Sequence, residues 1–106
     1  MTSPVTPGDI DALIHERVRL GIVSALAMVP EMSFVELKDS LSLTDGNLSV
    51  HARVLEEAGY VRIAKMFVGR KPRTTMSLTP FGRKAFRKYV EQLQQIVSAG
   101  EQKKKK

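Results

Sequence analysis

Residues Leu43 to Val61 read LTDGNLSVHARVLEEAGYV, and this stretch decides how the rest of the chain is organised. Thr44 suits the cap of a helix, because its hydroxyl can accept from backbone N–H groups that lack an intrahelical partner. Asp45 places negative charge at the positive end of the helix dipole. Leu43 and Leu48 have the spacing of a hydrophobic staple across that cap. Gly59 supplies the left-handed residue that ends such a helix. At 100° per residue, Leu48, Ala52, Leu55 and Ala58 share an inward face with His51 at its edge, while Gly46, Ser49, Val50, Arg53 and Glu57 point outward. The first turns of that outward face carry small side chains and then one arginine, so the helix can approach a groove closely. Arg53 can bond a guanine edge or a phosphate, Ser49 can donate or accept, and Val50 can touch a thymine methyl.

Working back from this stretch, Ser33 and Glu36 stand at capping-box spacing, and Met32 and Leu37 at staple spacing. A short helix is therefore predicted over Phe34 to Leu41, with Ser42 and Leu43 as the turn. Two short, capped helices separated by so brief a turn, the second with a spare face, form a helix-turn-helix arrangement. Pro30 ends the helix before it, and Glu31-Met32 can add a short strand. That first helix is predicted from Asp9 to about Met28, with a break near His15 and Glu16. Its apolar residues start as one stripe (Ile10, Leu13, Ile14, Val18) and then spread around it (Leu20, Ile22, Val23, Leu26, Val29), so more than one side must be buried.

Working forward, the period changes after Gly59 from helical to alternating. Val61, Ile63, Lys65 and Phe67 fall on one side of a strand, and Arg62 and Ala64 on the other. Gly69-Arg70-Lys71-Pro72 makes a turn, and Arg73 to Leu78 returns with Thr74, Met76 and Leu78 on one face. A hairpin with a basic tip beside a groove-reading helix can reach a neighbouring phosphate or the minor groove, and so acts as a wing. Thr79-Pro80 opens a last helix predicted to about Ser98, roughly 28 Å long. Its later half exceeds what so small a core can cover. Tyr89, Leu93, Ile96 and Val97, with Ile10, Leu13, Ile14 and Leu20 of the first helix, are expected to line a two-fold dimer interface.

With 106 residues the chain makes one small domain. Residues 1–8 are expected to be a loose arm, 9–98 the folded domain, and 99–106 a disordered basic tail. Hydrophobic content of 42% and charge of 26% are those of a soluble globular protein. No apolar run approaches a membrane span and no signal core opens the chain, so a cytoplasmic protein is expected. The absence of cysteine excludes disulfides and thiolate metal sites. The net charge is +6, but four charges belong to Lys103–Lys106. Without them 13 basic residues face 11 acidic ones, leaving +2. Distribution is more telling than the total. From Ala58 to Val90 there is no acid, against Arg62, Lys65, Arg70, Lys71, Arg73, Arg83, Lys84, Arg87 and Lys88, a balance that suits a polyanion.

The order helix, helix, helix, basic hairpin, helix resembles the winged helix-turn-helix domains of bacterial and archaeal transcriptional regulators, in the MarR and ArsR neighbourhood. The fold class is then mainly α with a β-hairpin wing. The resemblance runs from about Leu13 to Leu93, and rests on SFVELKDSLSLTDGNLSVHARVLEEAGYV, the wing GRKPRT and the following SLTPFGRKAF. It implies a homodimeric repressor on a pseudo-palindromic double-stranded operator. Carried across, the DNA-contacting set is Thr44, Asp45, Gly46, Asn47, Ser49, Val50 and Arg53, with Arg70, Lys71 and Arg73 on the wing. Ser33, at the start of the preceding helix, is added to it. Ala52 stands where the pattern more often has leucine, so either the helix sits more loosely on the core or a larger neighbour such as Phe67 or Met76 fills the space. Val50 stands where a long polar or basic residue is common.

Other chemistry finds little support. His51 reads as framework for its helix. His15 with Glu16, Asp9 and Asp11 has no spacing that demands a metal, and no nucleophile-and-base pair, phosphate loop or paired-carboxylate motif is present, so neither a cofactor nor an enzyme is expected. A protein-docking module with the same core and a non-specific nucleic-acid binder are the competing readings. A small-molecule effector entering between the first and last helices at the dimer interface would shift the spacing of two recognition helices. No residue names such a ligand.

Overall fold

The computed structural model describes residues 7–104. After a 3-10 turn at Pro7–Asp9 come α1 (Arg17–Ala27), β1 (Met32–Ser33), α2 (Phe34–Leu41), α3 (Asp45–Glu57), β2 (Val61–Val68), β3 (Lys71–Leu78) and α4 (Pro80–Lys104). The sheet is antiparallel in the order β1-β3-β2. Met32 lies opposite Met76, and β2 and β3 stay in register from Val61–Leu78 to Val68–Lys71. This is the winged helix-turn-helix arrangement expected from the sequence.

The first helix differs from expectation. Asp11 Oδ1 accepts from Leu13 N and Ile14 N (2.9 and 3.2 Å), which offers the backbone a partner other than a helical carbonyl. Glu16 then caps α1 by accepting from Arg19 N at 2.8 Å. The suspected break at His15 and Glu16 is therefore where α1 begins, and residues 10–15 are non-helical. This backbone bond to Arg19 is the main reason the Glu16 carboxyl is held below its ordinary range.

The helix-turn-helix follows the sequence reading closely. Ser33 Oγ accepts from Glu36 N (3.1 Å) and Ser33 N donates to Glu36 Oε1 (2.8 Å), completing the capping box of α2. Ser42 ends α2 in the left-handed conformation with φ 54°, a position that most often favours glycine. Thr44 Oγ1 then accepts from Asn47 N at 3.1 Å and starts α3.

Leu48, Ala52 and Leu55 of α3 join Ile22, Val23 and Leu26 of α1, Leu37 of α2, and Val61 and Met76 of the sheet in one buried cluster. Met76 lies in that cluster beside Ala52 and is fully buried, whereas Phe67 is 74% exposed and fills nothing. Of the two neighbours expected to compensate for the small Ala52, only Met76 is in place to do so.

The C-terminal helix is longer than expected. It continues through residues 99–104, where a disordered tail is expected from the sequence, and its 25 residues span about 37 Å; residues 105–106 of that tail lie outside the described residues. The helix gives the molecule extents of 63 × 25 × 21 Å and a radius of gyration of 16.4 Å. A compact chain of this length would have a radius of about 13 Å. Two residues expected at the dimer interface, Ile14 (0% exposed) and Tyr89 (1%), are buried within the single chain, where Tyr89 shares a 2.7 Å hydrogen bond with His15 Nδ1. Through Tyr89, α4 is tied to the segment before α1.

The first turn of α4 approaches the α3–β2 junction unusually closely. A Cβ on Gly82 would lie 2.0 Å from the Tyr60 carbonyl oxygen. Thr79 N donates to the same oxygen at 3.0 Å, and Thr79 Oγ1 donates to Gly59 O at 2.6 Å while accepting from Gly82 N at 2.9 Å. Gly82→Ala is expected to cost more than about 2 kcal/mol, because backbone rather than a mobile side-chain end must move. Gly46→Ala, in open space on α3, is expected to stabilise by about 0.5–1 kcal/mol. Urea unfolding of both variants checks this, and equal stabilities would contradict the close approach.

Candidate nucleic-acid interface

Helix α3 is held from three sides, and its remaining side is free. Its inward residues sit in the core, as above. At its N-terminus Asp45 pairs with Lys38 of α2 at 3.1 Å. Midway along, Arg19 NH1 lies 3.1 Å from His51 Nδ1, and Arg19 Nε donates to Leu13 O at 2.6 Å. Arginine has only donors, so in this contact His51 Nδ1 is the acceptor. Glu16 Oε1, 3.6 Å from the same nitrogen, completes a half-buried cluster that fixes the roll of α3 against α1. His51 is thus framework, as its place on the inward edge implied.

At the C-terminal end of α3, the Tyr60 hydroxyl donates to Asp11 Oδ2, and the Tyr60 ring tilts against Phe81 with centroids 5.4 Å apart. Burial first, and then the Asp11 carboxylate, push the Tyr60 hydroxyl up to about 12.

What is left facing outward is Thr44, Asp45, Gly46, Asn47, Ser49, Val50 and Arg53, all exposed. Ser49, Arg53 and Glu56 of α3, Phe34 of α2, and Lys65 and Thr74 of the hairpin line a shared cleft of about 550 Å³. The structure therefore joins the outward face of the helix to the wing through Lys65 and Thr74, neither of which the sequence reading had placed at the site. The signal was available in part: Lys65 had been set on the strand face that runs out from the core.

The wing itself turns in two residues. Gly69 has φ +65° and Arg70 is not left-handed, which meets the requirement of a II′ hairpin. Arg70 and Lys71 stand at the tip, exposed and with no ion pair among the described residues. Arg73 is exposed but lies 3.7 Å from Glu36. Ser33 does not belong to this surface: it is 4% exposed and its hydroxyl is engaged in the α2 cap. The acid-free basic run is also not one surface. Lys84 and Lys88 line a different cleft, of about 420 Å³, between residues 8–11 and α4, and Arg83 NH1 donates to Ala27 O.

Of the expected dimer residues, Ile10, Leu13, Leu20 and Leu93 are half-buried, while Ile96 and Val97 are exposed. No helix is long and apolar enough to cross a membrane, and no cluster of three or more His, Asp or Glu side chains is placed to hold a metal, among the described residues.

Comparison with known proteins agrees with this geometry. Residues 18–97 match the family described as winged helix DNA-binding domain. An uncharacterized protein of Methanocaldococcus jannaschii is 37% identical over 84 residues, covering 79% of this chain and 91% of its own. The solved structure of a transcriptional regulator homologue protein from Pyrococcus horikoshii superimposes with a TM-score of 0.78 at 33% identity, over 82% of this chain and 86% of that one. NadR, solved in complex with 4-hydroxyphenylacetate, has a TM-score of 0.68 at 22% identity over 85% of this chain and 63% of its own, a likeness of fold.

The Tyr60 clamp gives a prediction on stability. The folded pKa of this hydroxyl, about 12, exceeds its ordinary value of 10.0, so above pH 10 the unfolded chain gives up this proton first. The stabilisation is complete below pH 10 and is lost as pH rises towards 12. In denaturant titrations across that window, the stability gap between wild type and Tyr60→Phe should narrow. A constant gap would contradict the Asp11–Tyr60 bond.

Proposed function

We propose that this chain, which belongs to the winged helix DNA-binding domain family, is a sequence-specific transcriptional regulator acting in the cytoplasm as a homodimeric repressor on a pseudo-palindromic operator. The observation that carries this reading is the free side of α3. The helix is fixed by core packing, by Arg19 and His51, and by the Tyr60 clamp, yet its first three turns expose mostly small side chains and one arginine, Arg53, with no ion pair among the described residues. Such a face fits a major groove, with Arg53 and Ser49 at base edges and Thr44, Asn47 and the wing cations Arg70, Lys71 and Arg73 on the backbone. Asp45 contributes through Lys38 and the helix dipole rather than through phosphate, which it would repel.

The dimer is supported by α4. Beyond Tyr89 the helix carries Val90 (42% exposed), Ile96 (44%) and Val97 (56%), with Leu93 half-buried on the same side as Val97. A two-fold pairing of these segments would cover the apolar surface and set two α3 helices at a fixed separation, matching half-sites about 34–36 Å apart. A small-molecule effector would sit in the cleft between residues 8–11 and α4, beside Tyr60, Lys84 and Lys88. What supports this is Gln92 Oε1, buried there with no hydrogen-bond partner among the described residues.

The reading is tested by titrating the protein against a duplex from the region upstream of its own coding sequence and a scrambled duplex, at near-physiological salt. A preference of about 10³ or more is expected. Arg53→Ala should lower specific affinity by about 1–3 kcal/mol, whereas Arg70→Ala or Lys71→Ala should weaken all sequences evenly and reduce the salt slope by about one. Unchanged operator binding by Arg53→Ala would sink α3 as the reader. Light scattering at tens of micromolar should give a dimer, and a strict monomer would remove the homodimer.

A further inference from the structure

The wing carries more than cations. Its outer half exposes three consecutive apolar side chains, Met66 (42%), Phe67 (74%) and Val68 (61%). Single exposed apolar residues are ordinary, but three in a row on a protruding hairpin, with a phenylalanine foremost, are not accounted for by the core or by phosphate binding. Strand alternation sets Phe67 on the face shared by Ile63 and Lys65, and register sets Pro72 directly across from it. That face begins in the core at Val61, passes through the cleft where Lys65 and Thr74 meet Ser49 and Arg53, and ends one side-chain step further out at the Phe67–Pro72 pair. The apolar pair is therefore continuous with the outward face of α3. From Val61 to Leu78 the hairpin contains no acid, and Lys65, Arg70 and Lys71 surround the pair. This charge suits DNA and opposes most alternatives.

We propose that Phe67, backed by Pro72, is an apolar wedge that enters the minor groove beside the half-site, partly unstacks one base step and bends the duplex. The proposal rests on the DNA-binding reading above and adds to it a mechanical role for the wing. A proline across the strand from Phe67 stiffens the hairpin where it would bear on the bases, since its φ is fixed. Two basic residues at the turn hold the flanking phosphates. Insertion of such side chains bends DNA by about 20–90° towards the major groove, and flexible steps such as TA and CA are the easiest to open. The wing would then favour such steps at positions that α3 never touches.

The test uses the full chain and 30-base-pair duplexes selected from a random pool by binding to it, labelled at both ends for energy transfer and saturated with protein. Wild type is expected to shorten the end-to-end distance. Phe67→Ala should lose at least half of the change while keeping its thermal stability, because the side chain is exposed. Phe67→Leu and Phe67→Trp should retain it. Lys71→Ala should bind less tightly but bend equally once saturated. A wild-type complex that leaves a selected duplex straight, or a Phe67→Ala complex that bends it fully, would overturn the wedge while leaving the DNA-binding reading intact. Failure of wild type to bind any duplex would overturn both.

Discussion

The seat of α4 on the backbone of Tyr60 is the contact on which the rest of the structure depends. At that point Gly82 lets the two main chains meet, and Thr79 bridges the end of α3 to the start of α4. The Tyr60 side chain leaves the same residue in the other direction to bond Asp11. One short stretch thus fixes the end of α3, the root of the hairpin, the direction of α4 and the N-terminal segment. The cost of disturbing it is steric and large, because no rotamer change can make room for a Cβ 2.0 Å from a carbonyl oxygen.

A rigid seat has a functional consequence. If two copies pair through the outer half of α4, the angle of α4 on its own domain sets where the two α3 helices stand. The roll of each α3 is set by the Arg19–His51–Glu16 cluster, which joins the same seat through Leu13: its carbonyl accepts from Arg19 and its N–H donates to Asp11, the partner of Tyr60. In such a dimer the first constraint would govern half-site spacing and the second which side chains meet the bases.

Much of this was legible in the sequence because the signals were local. Caps, staples and stops lie within four residues of the helix ends they define, so α2 and α3 were bounded from spacing alone, whereas the hairpin turn is two residues rather than the four expected, with Lys71 and Pro72 already paired in β3. Ser33 illustrates the limit of that logic, since the same hydroxyl that marks the start of α2 is thereby engaged and buried. Asp11 and Glu16 also had readable roles, but competition between an Asx turn and a helix is decided by where Tyr60 lies, 49 residues away. Ile14 and Tyr89 carried a periodicity that demanded burial without saying against what. Lys65 and Thr74 came to the site only through the register of β2 on β3. Gly82 looked like part of a family pattern, and its reason is a tertiary contact that no spacing encodes.

Under the proposed function, the outward face of α3, with the adjoining wing, is the surface that meets DNA. The most direct measurement is amide chemical-shift mapping of the isotope-labelled full chain on addition of a selected duplex. The largest changes are expected at Asp45–Arg53 and Lys65–Arg73, with the amides of residues 90–97 little affected. Changes concentrated on α4, or absent from α3, would contradict it.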